Sequence, residues 1–224
     1  RHRVLIDCGM FQGTDFMDPR NTEAFPFDVK QLSAVVVTHA HIDHVGRLPL
    51  LIKAGYTGYI YATPATIELF ELILRDACEI MQYNHQKFGS PLLYDVADIG
   101  AVLEQCKPVS YYQEHALDNS SEASIILYDS GHIFGAAFVE LKLEGKRLMF
   151  SGDIGNVDVP ILRDTDPVPS GLDMLVCEST YGGRMHETTE VRKVLIERLV
   201  RQALSRGGVL MIPSFSLERT QELL

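Results

Sequence analysis

Cysteine is scarce and scattered in this sequence. Its four cysteines, Cys8, Cys78, Cys106 and Cys177, form no CxxC pair. That argues against a disulfide framework and against a cysteine-based zinc site. Cys8 and Cys177 sit in strand-like apolar runs and read as buried free thiols, which suits a reducing, cytoplasmic setting. No apolar run reaches the roughly eighteen residues of a membrane span. Basic charge is also short, with 20 Lys and Arg against 30 Asp and Glu and a net charge of −10. Bulk electrostatics therefore does not point to nucleic acid. There is no internal repeat and no low-complexity tract. No secretory signal is expected either, because residues 1–7 already read as a strand. With no initiating Met and a last stretch, 221–224, that reads as mid-helix, the chain is expected to be a segment of something longer.

What the sequence does have is concentrated in Thr38-His39-Ala40-His41-Ile42-Asp43-His44, at the end of the apolar run Ala34-Val35-Val36-Val37. The run reads as a buried strand, so the polar cluster sits where a rigid element gives way to a loop. Three imidazoles and a carboxylate packed this closely need partners for their lone pairs, and a metal supplies them. His39 and His41 alternate along extended backbone and project to one side. Asp43 and His44 lie beyond, where the chain turns helical, and can face a neighbouring position. The spacing suits two adjacent ions better than one.

The other elements are a strand over 4–9, a loop over 21–30, a short helix over 48–55 and a strand over 59–63. Pro64 reads as the first residue of a helix whose apolar positions Ile67, Phe70, Leu74, Ala77 and Met81 keep helical spacing. Asp95 reads as the cap of a second helix over 95–106. Strands follow at 124–129, at 138–143 and 146–150 around a Glu144-Gly145 hairpin, at 174–177 and at 209–212, with a helix over 191–205. His85 and His115 have no neighbouring ligand types and read as surface or loop residues. The mixture of strands, helices and hairpins favours a mixed α/β sandwich over a doubly wound sheet.

Successive strands end in ligand types: Asp7; Asp129-Ser130-Gly131-His132; Ser151-Gly152-Asp153; and Glu178. Together they point to one shared site. The histidine cluster, His132 and Asp153, in that order and with Asp7 before them, resemble the metallo-β-lactamase superfamily. The stretches 130–137, 151–156, 178–182 and 213–224 resemble its β-CASP nucleases, the group that includes the pre-mRNA 3′-end cleavage endonuclease and prokaryotic RNases similar to it. The resemblance implies an αββα sandwich over 1–183, incomplete at both ends, and the start of an inserted β-CASP α/β domain over 184–224. It implies two zinc ions: His39, His41 and His132 on one, Asp43 and His44 on the other, and Asp153 bridging.

The activity implied is hydrolysis of RNA phosphodiester bonds by a metal-activated hydroxide. Asp43, Asp7 and Glu178 would serve catalysis, Asp7 by orienting an imidazole and Glu178 with a downstream His that protonates the leaving oxygen. Arg184, His186 and Arg219 are candidates for phosphate contact. RNA is the implied partner, with a homodimer or an RNA-processing complex as the assembly and no membrane. Gly183 departs from the family, where many members carry an acidic residue. The family's later His motifs would fall beyond Leu224, so the segment alone is expected to be inactive. A small-molecule hydrolase such as a thioesterase or lactonase would use the same metal ligands but has no need of 178–224. A silent scaffold subunit would be expected to have lost ligands that are present here.

Overall fold

The computed structural model describes residues 2–13, 18–117, 122–185, 188–215 and 217–223. Two sheets make its frame. The first is wholly parallel, in the order β1 (Val4–Ile6), β2 (Ala34–Val36), β3 (Ile60–Ala62) and β4 (Cys106–Pro108). The second is mixed, in the order β5 (His115–Ala116), β6 (Ala123–Asp129), β7 (Ala137–Leu143), β8 (Lys146–Phe150) and β9 (Met174–Val176). There β5 to β8 run antiparallel in turn, and β9 lies parallel to β8.

The period of two along β2 explains why the sheets face one another. Ala34 and Val36 pack with Ile125, Leu127, Ala137, Val139 and Leu141 of the second sheet. Val35 and Val37, one residue out of phase, pack instead with Ile60, Phe70, Leu74, Ile99 and Val102. All four residues of 34–37 are fully buried. A strand covered on both faces must be apolar throughout, which is the run the sequence shows.

Helices α1 (Ile42–Val45), α2 (Leu48–Lys53), α3 (Pro64–Phe88) and α4 (Val96–Gln105) supply the layer outside the first sheet. The start of α3 has Pro64 in its first turn and the Thr63 hydroxyl accepting from the Thr66 N–H. Asp95 and Asp98 form a reciprocal capping box at the start of α4. In the β7–β8 turn Glu144 and Gly145 both take positive φ, 50° and 74°, as a two-residue hairpin of matching twist requires.

Four sequence expectations need correction, and the first is Cys177, which is exposed and not buried. The 95–106 helix stops at Gln105, and Cys106-Lys107-Pro108 is instead edge strand β4, the position in a sheet that a proline tolerates. His115 is not in a loop: it pairs with Ile125 in β5 beside the Tyr61 ring. Residues 209–212 have strand composition but form no strand. Val209 and Met211 are almost fully exposed, and a ladder needs a neighbour that the described residues do not provide. The helix expected at 191–205 is present as α5 (Thr189–Ser205), with Val194 and Leu204 exposed and no residue described as buried. A short α6 (Arg219–Leu223) closes the chain. No helix among the described residues is long and apolar enough to cross a membrane.

Within α3 the buried and exposed faces separate cleanly: Phe70 is 0% exposed and Leu72 is 61% exposed. Phe70→Ala should cost about 3–5 kcal/mol of stability, and Leu72→Ala no more than about 0.5 kcal/mol. Urea denaturation followed by circular dichroism measures both, and similar midpoints for the two variants would contradict this core.

Candidate metal centre

In the first sheet β1 and β2 are parallel, so Asp7 and Thr38-His39 leave it at the same edge. In the second sheet β6, β8 and β9 share one direction, so His132, Asp153 and Glu178 also leave at a common edge. The Ala137 N–H donates to the Thr38 carbonyl at 2.8 Å and joins the two edges. Ligand types from five strand ends thereby meet at one place.

Thr38 holds much of it together. Its N–H donates to Asp7 Oδ1 at 2.7 Å and its hydroxyl donates to Asp7 Oδ2 at 2.8 Å. That hydroxyl also lies 3.0 Å from His39 Nδ1. With its proton given to Asp7, the oxygen accepts from Nδ1–H, which leaves the His39 Nε2 lone pair free. His44 Nδ1 donates to Asp7 Oδ2 at 2.7 Å, which turns its Nε2 toward Asp153 and Asp43. Asp7 adopts φ 61°, in the left-handed region, and turns its carboxylate back onto these donors. Gly9 follows because the loop after Asp7 lies on α1: Cys8 N–H donates to the His44 carbonyl at 2.8 Å. A Cβ on Gly9 would overlap the Asp43 carbonyl.

His39, His41, His132 and Asp153 each direct one ligand atom to a common point, all within 4.8 Å of one another. His41 Nδ1 lies 3.1 Å from His39 Nε2 and 3.2 Å from His132 Nε2. Asp153 Oδ2 lies 3.4 Å from His132 Nε2 and 3.7 Å from His39 Nε2. A tetrahedral zinc with bonds of about 2.0–2.1 Å has edges of about 3.3 Å, so this spacing fits. One ring nitrogen, moreover, cannot satisfy two others, because it has a single in-plane lone pair or proton. A cation at the centre satisfies all of them.

The other Asp153 oxygen faces a second group. Oδ1 is 3.3 Å from His44 Nε2, and Asp43 Oδ2 is 3.9 Å from that same nitrogen. Burial, with the neighbouring rings adding to it, holds His39 well below the usual imidazole range. Burial also lowers His41 and His132. Burial would lower His44 too, but the Asp153 and Asp7 carboxylates overcome it and raise the ring to about 10. The His44 hydrogen bond in turn holds Asp153 down at about 2. The first position is thus a set of neutral lone pairs, and at the second the Asp153 and Asp7 carboxylates favour a proton on His44 whose place a cation would take.

A metallo-beta-lactamase superfamily domain matches residues 1–165. The chain belongs to that superfamily. Among relatives of this superfamily chain, "Ribonuclease TTHA0252" of Thermus thermophilus is 41% identical over 99% of it and 48% of the relative. "Transcription termination factor FttA" of Methanocaldococcus jannaschii is 34% identical, over 99% of this chain and 35% of its own length. "Cleavage and polyadenylation specificity factor 73" of Drosophila melanogaster is 29% identical, over 99% and 31%. The chain spans about half or less of these relatives' lengths. The superfamily resemblance read from the histidine cluster, His132 and Asp153 holds.

The outlying candidates are placed differently. Arg219 gives its guanidinium to Glu222 at 2.7 Å. Arg184 is exposed, its N–H donating to the Tyr181 carbonyl. No ion pair or hydrogen bond described here links either to the cluster, and His186 lies outside the described residues. Thr38 was not singled out by sequence reasoning, although it stands directly before His39 and after a buried strand. Phe215 was not either, yet its ring centroid is 6.3 Å from that of His41.

Replacing Asp7 with Asn keeps a side chain that tolerates left-handed φ and removes the charge facing His44. Zinc affinity of Asp7→Asn should fall about 10–100-fold, the usual loss when the partner of a ligating imidazole is altered. Competition with a chromophoric chelator measures it, and unchanged affinity would reduce Asp7 to a turn residue.

Proposed function

We propose that this chain forms the catalytic part of a ribonuclease that cuts RNA phosphodiester bonds with two zinc ions. The observation that carries the reading is Asp153, which offers one oxygen to the His39–His41–His132 group and the other to His44. A shared carboxylate between two ligand groups is what a two-metal site needs. RNA as substrate is supported by relatives whose names are a ribonuclease, a cleavage and polyadenylation factor and a transcription termination factor.

In this reading His39, His41 and His132 would hold one ion, Asp43 and His44 would hold the second, and Asp153 would serve both. Zinc, when bound, supplies Lewis acidity and lowers the pKa of water for attack on phosphorus. Asp7 fixes the tautomer and plane of His44, and Thr38 does the same for His39. Glu178 stands beside the site at the end of β9, and Arg184, His186 and Arg219 are the cations available for phosphate. Residues 1–183 are the metallo-β-lactamase domain and 184–224 open a β-CASP domain. The protein works in the cytoplasm, as a homodimer or within an RNA-processing complex.

Metal analysis of the full-length protein, with end-labelled RNA as substrate, tests the proposal. The parent should carry two zinc ions and cleave RNA. His41→Ala and Asp153→Ala should each lose zinc and drop to background cleavage. A parent that holds zinc and leaves RNA intact would move the reading to a small-molecule hydrolase, and one without zinc to a scaffold.

A further inference from the structure

Asp153 has the most demanding position in the cluster, since both its oxygens must be aimed, yet it sits in a loop after β8 and not on a helix or strand. Something must fix that loop. Before Asp153, Ser151 N–H donates to the Val176 carbonyl at 2.9 Å and so extends the β8–β9 ladder by one bond. Gly152 takes φ 50° against the Thr38 side chain, where a Cβ would lie 2.6 Å from the Thr38 hydroxyl. After Asp153, Gly155 N–H donates to the Ser130 carbonyl at 2.8 Å.

The remaining anchors converge on one residue. The Glu178 N–H donates to Ser151 Oγ at 3.0 Å, two residues before Asp153. Glu178 Oε1 accepts from the Ile154 N–H at 2.9 Å, immediately after it. Glu178 Oε2 accepts from the Thr180 N–H at 3.2 Å, which steadies the carboxylate itself. Residue 178 thus grips the Asp153 loop on both sides, once through its main chain and once through its side chain. A hydrogen bond to a charged acceptor is shorter and stronger than one to a neutral group, and this one favours a single loop conformer over its neighbours.

We infer that Glu178 is a positioning residue for the metal centre, its carboxylate holding the Ile154 amide so that Asp153 presents one oxygen to each ligand group. This rests on the metal-site reading above but not on RNA as substrate. It also differs from the role the β-CASP resemblance implies for Glu178, partnership with a downstream His at the leaving oxygen. Both of its oxygens are already engaged by main-chain N–H groups. Partial burial works against ionisation, but the Ile154 and Thr180 N–H groups outweigh it and hold the carboxyl below its usual value. Ionised, the carboxylate is an acceptor only, and it accepts from these two N–H groups.

The two roles separate by substitution. Gln keeps an oxygen for the Ile154 N–H, whereas Ala removes it. Zinc affinity of the full-length protein, measured by chelator competition, should stay within about threefold of the parent in Glu178→Gln. It should fall about 10–100-fold in Glu178→Ala, the range seen when groups behind the ligands are removed. Ile154→Ala, which keeps the amide, should bind zinc like the parent. Melting of the metal-free proteins checks that Glu178→Ala is folded; if it is not, Glu178→Asp, too short to reach the amide, replaces it with the same expected loss. Parent-like zinc binding by the folded Ala or Asp variant would overturn the inference, and so would a Gln variant as weak as Ala. A parent that binds zinc but cuts no RNA would defeat the ribonuclease reading and leave this inference standing.

Discussion

The site depends first on the bonds between Asp7 and Thr38. A left-handed backbone at Asp7 costs about 1–2 kcal/mol, and the chain accepts it because the turned carboxylate meets three donors: the Thr38 N–H, the Thr38 hydroxyl and His44 Nδ1. With hydrogen bonds to charged groups contributing about 1.5–3 kcal/mol each, the donors outweigh the strain. Thr38 then passes order outward. Its carbonyl receives the second sheet through Ala137, and its side chain closes on Gly152 beside Asp153. One small β-branched residue touches the ends of β1, β7 and β8, and a bulkier one would separate them.

The two-sheet frame explains why ligands so far apart in sequence converge. Parallel pairing of β1 with β2, and of β8 with β9, puts every ligand-bearing end on one side. The side chains of 34–37, packing alternately on the two faces of β2, then join the second sheet to the first. Much of this could be read from the sequence. The buried strand announced itself as four apolar residues, the hairpin as Glu144-Gly145, and the α4 cap as Asp95. His39 to His44 could be read because ligand types crowd one short stretch. His132 and Asp153, each a lone ligand type after a strand, could be read only as part of a set of strand ends, and the superfamily pattern then gave each its role.

What stayed hidden was tertiary. Cys106-Lys107-Pro108 has poor strand composition and pairs only because β3 offers it an edge. Residues 209–212 have excellent strand composition and find no partner strand among the described residues. Propensity describes what a segment could do, and the neighbour decides. The bonds of Glu178 were hidden for a related reason: its partners, Ser151 and Ile154, are loop residues whose amide and hydroxyl groups look generic until the backbone is folded.

The spread of the ligands along the chain also sets when the centre can exist. His39 and His41 are made before His132 and Asp153, which reach them only after both sheets have formed and docked. Contacts of such long sequence separation close late, because the loop entropy must be overcome before the contact gives anything back. A nascent chain that has exposed its histidines has only half a chelate, and it holds a divalent ion weakly. A chain still emerging from the ribosome therefore carries no assembled His–Asp cluster until most of this fold is complete.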